Sequence, residues 1–339
     1  HAYLHQSRRV AAISGIRDTD MIANLFPLNA APMGAFVRSA TNAYAAGAAI
    51  FAALPGAPHG DFNVHRTLDD AVAMIERHRA TILWGVLSFL RRVLDRAIER
   101  GADFGAVRMC ALSGEASSPA LVQALRALMR TLGTAGQIVF DRYGSTEIGA
   151  FAQCQEDGHW HNPAPEIQYH EIVDPETGGR LPDGERGALA VTHLDRRGTV
   201  LVRFLVGDQV SLVRGPCPHC GRTGDRVVGP VVRTKDLVKV KGMLINPAAL
   251  AQAIGQVPGI DEYQFVVRKA DPRDPLSMDE LALRIATRVP DREALTVRVV
   301  QATREIAQVR PVIEFVEAID IFNPAGQTKA IRFTDQRTP

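Results

Sequence analysis

The chain has 339 residues, of which 46% are hydrophobic and 22% charged, and its formal net charge at pH 7 is +2. This composition is typical of a soluble globular enzyme with about two domains, and it excludes a disordered or fibrous protein, while the interleaved basic and acidic residues argue against a nucleic-acid partner. The longest apolar run near the start, at 42–55, is too short to span a bilayer and follows no signal peptide, so we expect a cytoplasmic protein without a membrane partner.

The first part of the chain alternates between short apolar runs and amphipathic stretches. Apolar runs of a few residues predict buried strands, and apolar residues spaced three and four apart predict helices. Thr67 directly precedes one of these stretches and is a candidate N-cap. Strands that alternate with helices predict a mainly parallel sheet covered on both faces. The predicted strands are 21–26, 45–51, 80–85, 107–112 and 137–140, and the predicted helices are 33–36, 67–79, 87–100 and 119–132.

The pattern then changes twice. Strand-like stretches at 166–174, 187–193 and 200–204 indicate a smaller β-rich subdomain, and after Arg233 a separate α+β unit begins. We therefore predict an α/β fold in which 1–233 form a large N-terminal domain with mainly parallel sheets plus that subdomain, 234–236 form a hinge, and 237–339 form a small mobile α+β C-terminal domain. In that last domain the predicted strands are 237–240, 261–267, 281–287 and 312–316, the last strand, and the predicted helices are 247–254 and 292–306.

A polar turn follows the predicted strand 137–140. It contains Tyr143, Gly144, Ser145, Thr146 and Glu147. Glycines let a backbone approach a ligand closely, a threonine hydroxyl can donate to a phosphate oxygen, and a carboxylate is a good ligand for Mg²⁺. Ligands of parallel sheets bind beyond the carboxyl ends of the strands, where this turn would lie. The residues alone leave two interpretations open, a nucleotide-phosphate and metal site or a polar loop.

The pattern Tyr-Gly-x-Thr-Glu resembles the signature of the adenylate-forming superfamily, which includes acyl-CoA synthetases, nonribosomal adenylation domains and luciferases. Further segments resemble the other motifs of that superfamily and occur in the same order. In the superfamily these motifs contact adenine, hold the ribose, form the interdomain hinge and supply a catalytic lysine. The segments are 113–116, 206–208, 233–242 and 326–329.

The resemblance implies an ATP-dependent acid–thiol ligase. A small carboxylic acid, aromatic on family resemblance, would attack the α-phosphate of ATP, and the thiol of coenzyme A would then attack the acyl-adenylate. In the first half-reaction Thr146 would contact the phosphate, Glu147 would bind Mg²⁺, and Lys329 would be catalytic. The adenine face would consist of Gly114, Glu115 and Ala116, the ribose would lie on Asp208 and Arg233, Lys235 would be the hinge pivot, and Gly242 would reach the thiol tunnel.

The sequence departs from the superfamily pattern at two points. The Ser/Thr/Gly-rich loop that cradles the β- and γ-phosphates of ATP has no counterpart, and since the sequence opens at His1 rather than methionine, we expect an N-terminally incomplete large domain. Leu205 stands where many members carry an arginine three residues before the ribose aspartate. The missing phosphate loop leaves a noncatalytic nucleotide-binding homologue as an alternative. Because the arrangement of motifs is the same for every acceptor, transfer of the acyl group to a carrier protein or an amine is another. A homodimer is also compatible with the pattern.

Three of the four cysteines suggest a metal site. Cys217 and Cys220 have the two-residue spacing of a metal knuckle, and Cys154 lies upstream, followed by His159 and His161. Three thiolates and an imidazole are the ligand set of a closed structural Zn²⁺ site, whereas free thiols and a redox pair are the alternatives. Phenylacetate-CoA ligases carry a similar Cys…Gly-x-His…Cys-Gly-Arg pattern, and this resemblance favours His161 over His159.

Overall fold

The computed structural model describes residues 2–26, 34–55, 65–114, 117, 119–156, 159–233, 238–240, 243–271, 273–274, 277–307, 310–323 and 330–337. The chain divides into two compact units, one made of His1–Ser117 and Leu125–Val232 and the other of Ser118–Ala124 and Arg233–Pro339. Within the described ranges, no helix has the length and apolar character needed to cross a membrane.

The first unit contains a five-stranded parallel sheet. The elements up to β5 are α1 (Ala2–Ile13), β1 (Met21–Asn24), α2 (Gly34–Ala46), β2 (Ala49–Ala52), α3 (Leu68–Arg77), β3 (Ile82–Gly85), α4 (Leu87–Arg100), β4 (Met109–Leu112), α5 (Pro119–Thr131) and β5 (Ile138–Phe140). The part of α5 up to Ala124 is assigned to the second unit. The strands lie in the order β2-β1-β3-β4-β5, and every adjacent pair is parallel. Strands β3 and β4 are buried throughout, as expected for a sheet covered on both faces. The predicted strands and helices of this region are confirmed.

Local sequence sets the ends of these helices. The Thr67 side chain accepts a hydrogen bond from the backbone N–H of Asp70, and the Asp70 carboxylate accepts one from the backbone N–H of Thr67. The predicted N-cap is therefore confirmed, and such a cap stabilises a helix by about 1 kcal/mol. Helix α4 ends at Gly101, whose φ of 63° is left-handed and favours glycine. Helix α1 was not predicted, because it buries the polar residues Gln6 and Ser7 and so lacks a clear apolar period.

The amino-terminal edge of the parallel sheet is held by an ion pair. The buried Asp20 carboxylate accepts hydrogen bonds from Thr81 Oγ1 at 2.8 Å and from Arg108 Nε at 2.9 Å. Burial opposes ionisation of Asp20, but these donors keep its pKa below its usual value. Since the three residues precede β1, β3 and β4, this contact ties the strands together at the edge opposite to the one where ligands bind.

The rest of the first unit is β-rich. Its strands are β6 (Gly144–Ser145), β7 (Gly149–Ala150), β8 (Ala152–Gln153), β9 (Trp160–His161), β10 (Gln168–Val173), β11 (Arg186–His193), β12 (Phe204–Val213) and β13 (Arg226–Arg233). Six of them form a sheet in the order β10-β11-β12-β13-β9-β8, while β6 and β7 pair separately. The buried core beneath them includes Phe151, Leu189 and Val210. The predicted β-rich subdomain is confirmed.

Four strands of this sheet differ from the prediction, two of them being β8 and β9, which were not predicted. The strand predicted at 200–204 is wrong, because β12 begins only at Phe204. Val200 and Val202 are 54% and 71% exposed, and Arg203 has a φ of 46°, so this stretch is a turn despite its β-branched residues. Strand β13 was not predicted, since the pair Gly229-Pro230 inside it is typical of a turn.

The second unit is an α+β fold. Beyond β13 its elements are β14 (Val238–Val240), β15 (Met243–Ile245), α6 (Pro247–Ile254), β16 (Glu262–Lys269), β17 (Asp279–Ala286), α7 (Arg292–Ala307), β18 (Val312–Phe315), α8 (Ala318–Ile321) and β19 (Phe333–Asp335). A four-stranded sheet has the order β18-β17-β16-β19, and its core contains Phe265, Leu283 and Leu295. The predicted elements are confirmed, except that β19 follows the strand predicted to be last. The α/β fold class is confirmed, and the mobility of this unit stays a prediction.

Candidate active site

The polar turn after β5 closes as a short hairpin between β6 and β7. A Cβ atom at Gly144 would lie 2.2 Å from the carbonyl oxygen of Gly149. Gly149 itself has a φ of 71°, and a Cβ there would lie 2.6 Å from the side chain of Gln6. Both glycines are therefore needed to close the hairpin, which gives them a role in the fold in addition to any approach of a ligand.

Consecutive carbonyl groups of this turn are held by side chains that lie far away in the sequence. The donors come from α2, from the end of β11 and from the loop after it, and two of them are arginines that add positive charge beside the turn. No local sequence pattern indicates these contacts, because their partners are 46 to 107 residues apart. The bonds run from Arg38 Nη2 to Ser145 O (3.0 Å), from Arg196 Nη2 to Thr146 O (3.2 Å) and from His193 Nε2 to Glu147 O (2.7 Å).

A buried hydrogen bond joins the turn to the predicted ribose aspartate. Tyr143 Oη donates to Asp208 Oδ2 at 2.7 Å, and Asp208 is 4% exposed. Asp208 lies inside β12 and not at the end of a strand. The pairing of β12 with β11 shifts register between Ala188 and Ala190, and Gly207 has a φ of 90°. Such a bulge redirects a side chain within a strand, which explains how Asp208 reaches the turn.

Side chains from three neighbouring strand ends meet at the carboxyl edge of the parallel sheet. Trp84, in β3, donates its Nε1–H to the Oγ of Ser113, which follows β4, at 3.3 Å. The guanidinium carbon of Arg142, after β5, lies 4.0 Å from the centroid of the Trp84 ring. Arg142 Nη2 also donates to the Oγ of Ser14 at 3.2 Å. The edge where parallel sheets bind ligands therefore carries a stacked cation.

The environment of Arg142 is unusual for an arginine. The residue is 7% exposed, and among the described residues its Nε and Nη1 atoms have no hydrogen-bond partner. Burial lowers the pKa of Arg142 to about 9. Removing an ion from water costs several kcal/mol, whereas a desolvated cation–π contact returns only about 2 kcal/mol. The stack on Trp84 therefore does not offset the cost of burying this charge.

Asp141 is a second polar group at this edge that sequence analysis missed. Its carboxylate accepts hydrogen bonds from Ser117 Oγ at 2.7 Å and from the backbone N–H of Arg142 at 2.8 Å. Its own backbone N–H donates to Gln153 Oε1 at 2.9 Å. Burial raises the pKa of Asp141 to about 6, although the hydrogen bonds from Ser117 and from the backbone of Arg142 act to lower it. An acidic residue directly after a buried strand was the signal available in the sequence.

Replacing Asp141 with asparagine is expected to change how stability depends on pH. Because the folded state holds the proton more tightly than the unfolded state, the stabilising contribution of Asp141 is complete below about pH 4 and is lost as the pH rises through about 6. As the pH rises from 4.5 to 7.5, the free energy of unfolding of Asp141→Asn should therefore increase by on the order of 2 kcal/mol relative to that of wild type. Urea unfolding of both proteins at the two pH values measures this difference. The same difference in free energy of unfolding at both pH values would contradict a raised pKa of Asp141.

The other predicted site residues are placed as follows. Gly114 follows β4 with a φ of 80°, which favours glycine. Arg233 is the last residue of β13 and is exposed. The aromatic residues Phe89 and Phe151 are buried core residues. Five predicted residues lie outside the described residues, namely Glu115, Ala116, Lys235, Gly242 and Lys329.

The structure brings three cysteines and one histidine together. The ligand atoms of Cys154, His161, Cys217 and Cys220 all lie within 4.8 Å of one another. The two sulfurs of Cys154 and Cys217 are 3.8 Å apart, and His161 Nε2 lies 3.3 Å from the sulfur of Cys154 and 3.7 Å from that of Cys220. Around a tetrahedral zinc ion, bonds of about 2.3 Å to sulfur and 2.0 Å to nitrogen give separations of about 3.8 and 3.5 Å. The donor set therefore fits such an ion.

Two local structures position these ligands. Strands β8 and β9 pair with Ala152 opposite His161, which brings His161 beside Cys154. The other two cysteines lie in a tight turn in which Gly221, with a φ of 68°, donates its backbone N–H to the carbonyl of Cys217 at 2.9 Å. Burial opposes ionisation of Cys217, but backbone N–H groups of the turn lower its pKa to about 7. Burial also lowers the pKa of His161 to about 4, which favours the neutral ring that a metal needs.

Comparison with known proteins agrees with this arrangement. A family model described as AMP-binding enzyme matches residues 41–193. The phenylacetate-coenzyme A ligase of Thermus thermophilus is 30% identical over 178 residues, which cover 50% of this chain and 38% of that enzyme. The chain spans less than half the length of the curated relatives that it matches.

Solved structures show the same fold. A 2-hydroxyisobutyryl-CoA ligase in complex with an acyl-AMP has a TM-score of 0.77 and 24% identity, and the match covers 99% of this chain and 69% of that one. The anthranilate CoA ligase AuaEII in complex with anthranoyl-AMP has a TM-score of 0.62 and 19% identity, covering 96% and 61%. These structures show the fold alone, whereas the family model and the phenylacetate-CoA ligase relatives confirm the resemblance to the adenylate-forming superfamily.

Proposed function

We propose that this chain activates a carboxylic acid with ATP to an acyl-adenylate and transfers the acyl group to coenzyme A. The observation that carries the proposal is the buried hydrogen bond from Tyr143 to Asp208. It joins two motifs that are 65 residues apart in the sequence beside the carboxyl edge of a parallel sheet. One carboxylate can accept from both ribose hydroxyls, so this arrangement suits a nucleotide.

The residues would divide the reaction between them. Asp208 would accept from the ribose hydroxyls, with Tyr143 fixing its orientation, and Gly114 would lie near the adenine. The Thr146 hydroxyl would donate to the α-phosphate, where an oxygen of the acid attacks phosphorus and the bond to pyrophosphate breaks. Mg²⁺, when bound, would be held by Glu147 and would neutralise phosphate charge. In the second step the thiol sulfur attacks the acyl carbon, and AMP leaves with the bonding electrons.

We also propose that the cluster of Cys154, His161, Cys217 and Cys220 binds a structural zinc ion. Its support is the donor set and the interatomic separations, which fit a tetrahedral site. Four protein ligands leave no open coordination position, so the ion would take no part in catalysis. It would fasten the β8–β9 hairpin to the turn that follows β12.

The identity of the acid and of the acceptor also belongs to the proposal. The similar proteins are ligases of phenylacetate, anthranilate and 2-hydroxyisobutyrate, and because two of these three acids are aromatic, they support an aromatic acid. A carrier-protein thiol or an amine would use the same adenylate, and no feature of the described residues favours either over coenzyme A. A homodimeric state remains a prediction.

The proposal is tested with the protein at its full natural length. We expect acid-dependent exchange of labelled pyrophosphate into ATP, and Asp208→Ala should lower kcat/KM for ATP by roughly 10²-fold, since charge-assisted hydrogen bonds to two hydroxyls are lost. The matched control is Glu176→Gln, an exposed carboxylate in the turn between β10 and β11, which should behave as wild type. ATP binding without exchange for any acid would indicate a noncatalytic nucleotide-binding protein. Exchange without consumption of coenzyme A would indicate another acceptor.

A further inference from the structure

Arg142 is a buried cation without a counter-ion among the described residues. Its Nη2 atom donates to Ser14, but its Nε and Nη1 atoms are buried and have no partner in that part of the chain. The neighbouring Asp141 carboxylate bonds to the Ser117 hydroxyl and to the backbone N–H of Arg142, not to the guanidinium group. The unused donors of Arg142 therefore call for a partner that the described chain does not supply.

The guanidinium group is held in one orientation. The ring of Trp84 lies against its face at 4.0 Å, and the indole N–H is fixed in turn by Ser113. A planar donor that is already immobilised loses little conformational entropy when it binds a ligand. This is the arrangement expected of a recognition group rather than of a side chain that fills space.

The side chain of Arg142 extends away from the residues proposed to bind the nucleotide. Arg142 and Tyr143 are consecutive in a segment outside regular structure, and their side chains contact different groups. Tyr143 reaches Asp208, the proposed ribose ligand, whereas Arg142 reaches Trp84 and Ser14 on the side of the parallel sheet. A partner of Arg142 would thus lie away from the ribose and belong to the other reactant, the acid.

We propose that Arg142 is a specificity-determining residue that donates hydrogen bonds to a second oxygen acceptor of the acid, remote from the carboxylate that is activated. This inference rests on the proposed function. The reacting carboxylate must lie at the phosphate near Thr146, so the group at Arg142 is a different one. The substrate class is therefore an acid with a second carboxylate or a carbonyl group rather than a plain hydrocarbon acid such as phenylacetate.

The test compares pairs of acids with the same skeleton in the full-length protein. The pairs are phenylacetate with 4-carboxyphenylacetate and hexanoate with adipate, and the readout is kcat/KM in pyrophosphate exchange. Wild type should prefer the dicarboxylic member by roughly 10²-fold or more, because the other member leaves a buried donor unpaired. Arg142→Met should abolish the preference by lowering kcat/KM for the dicarboxylic acid and not for the monocarboxylic acid of the same pair. Arg142→Lys should retain part of it, and Arg130→Met, an exposed arginine of α5, should behave as wild type.

Several results would overturn the inference. The first is that wild type uses both members of each pair with equal kcat/KM. The second is that Arg142→Met lowers kcat/KM equally for both members and also lowers the Tm, which would mean a structural role. If no acid supports exchange in wild type, the proposed function fails, and calorimetric binding of 4-carboxyphenylacetate without ATP then decides about Arg142. Binding that Arg142→Met removes supports the inference, whereas absent or unchanged binding refutes it.

Discussion

Replacing Lys329 with alanine is expected to slow acyl-adenylate formation by roughly 10²- to 10³-fold, the effect typical of losing one donor at developing negative charge. In the proposed reaction the ammonium group would neutralise charge on the α-phosphate and the attacking carboxylate in the first step, and the mobile C-terminal domain would carry it away before the second. The measurement is single-turnover formation of the adenylate from ATP and the acid in the full-length protein. The rate of thioester formation from supplied acyl-adenylate should change little.

The control for this experiment is a second lysine of the same unit. Lys269 lies 3.1 Å from the carboxylate of Asp279 at the end of β16, so Lys269→Gln removes one positive charge without touching the proposed chemistry. It should preserve both half-reactions. An equal loss of both steps in Lys329→Ala would remove the assigned role and return Lys329 to an ordinary surface charge.

Removing zinc is expected to lower the free energy of unfolding by several kcal/mol, since the binding energy of a structural metal is part of the folding energy. The purified protein should contain one zinc ion per chain, measured by atomic emission, and a strong chelator should lower the Tm. Cys217→Ser and His161→Ala should lose the metal and show the same lower Tm. Activity should fall only where the fold is lost, because the ligand set is closed.

His159 provides the matched control for this prediction. It lies two residues before His161 but is not part of the cluster of ligand atoms, so His159→Ala should keep its zinc and its Tm. Retention of zinc by Cys217→Ser, or a Tm that does not respond to the chelator, would favour the alternative of free thiols.

Much of the fold could be predicted because its signals are local. The strands of the parallel sheet are short apolar runs, and the start of α3 depends on Thr67 and Asp70, which are three residues apart. Prediction failed where burial overrides composition. The stretch 200–204 is apolar and so predicts a strand, but it is largely exposed and forms a turn. Helix α1 buries polar residues, so its sequence lacks the apolar period that predicts a helix.

The candidate site divides in the same way. Tyr143, Asp208 and the cysteine pair 217 and 220 belong to short sequence patterns and were identified from them. Arg38, Arg142 and His193 were not, because each acquires its role through contacts with residues 46 to 128 positions away. Their position beside the turn is a property of the folded sheet and has no counterpart in the local sequence.

The order of strands in the six-stranded sheet places the cluster of three cysteines and His161 close to the strand that carries the proposed ribose ligand. His161 lies in β9, which pairs with β13, and β13 neighbours β12, the strand that contains Asp208. Only one strand therefore separates the two. If the proposed zinc ion is lost, β8 and β9 are expected to unfold together with the neighbouring strands, one of which carries Asp208, so the proposed ATP binding would be lost with the fold.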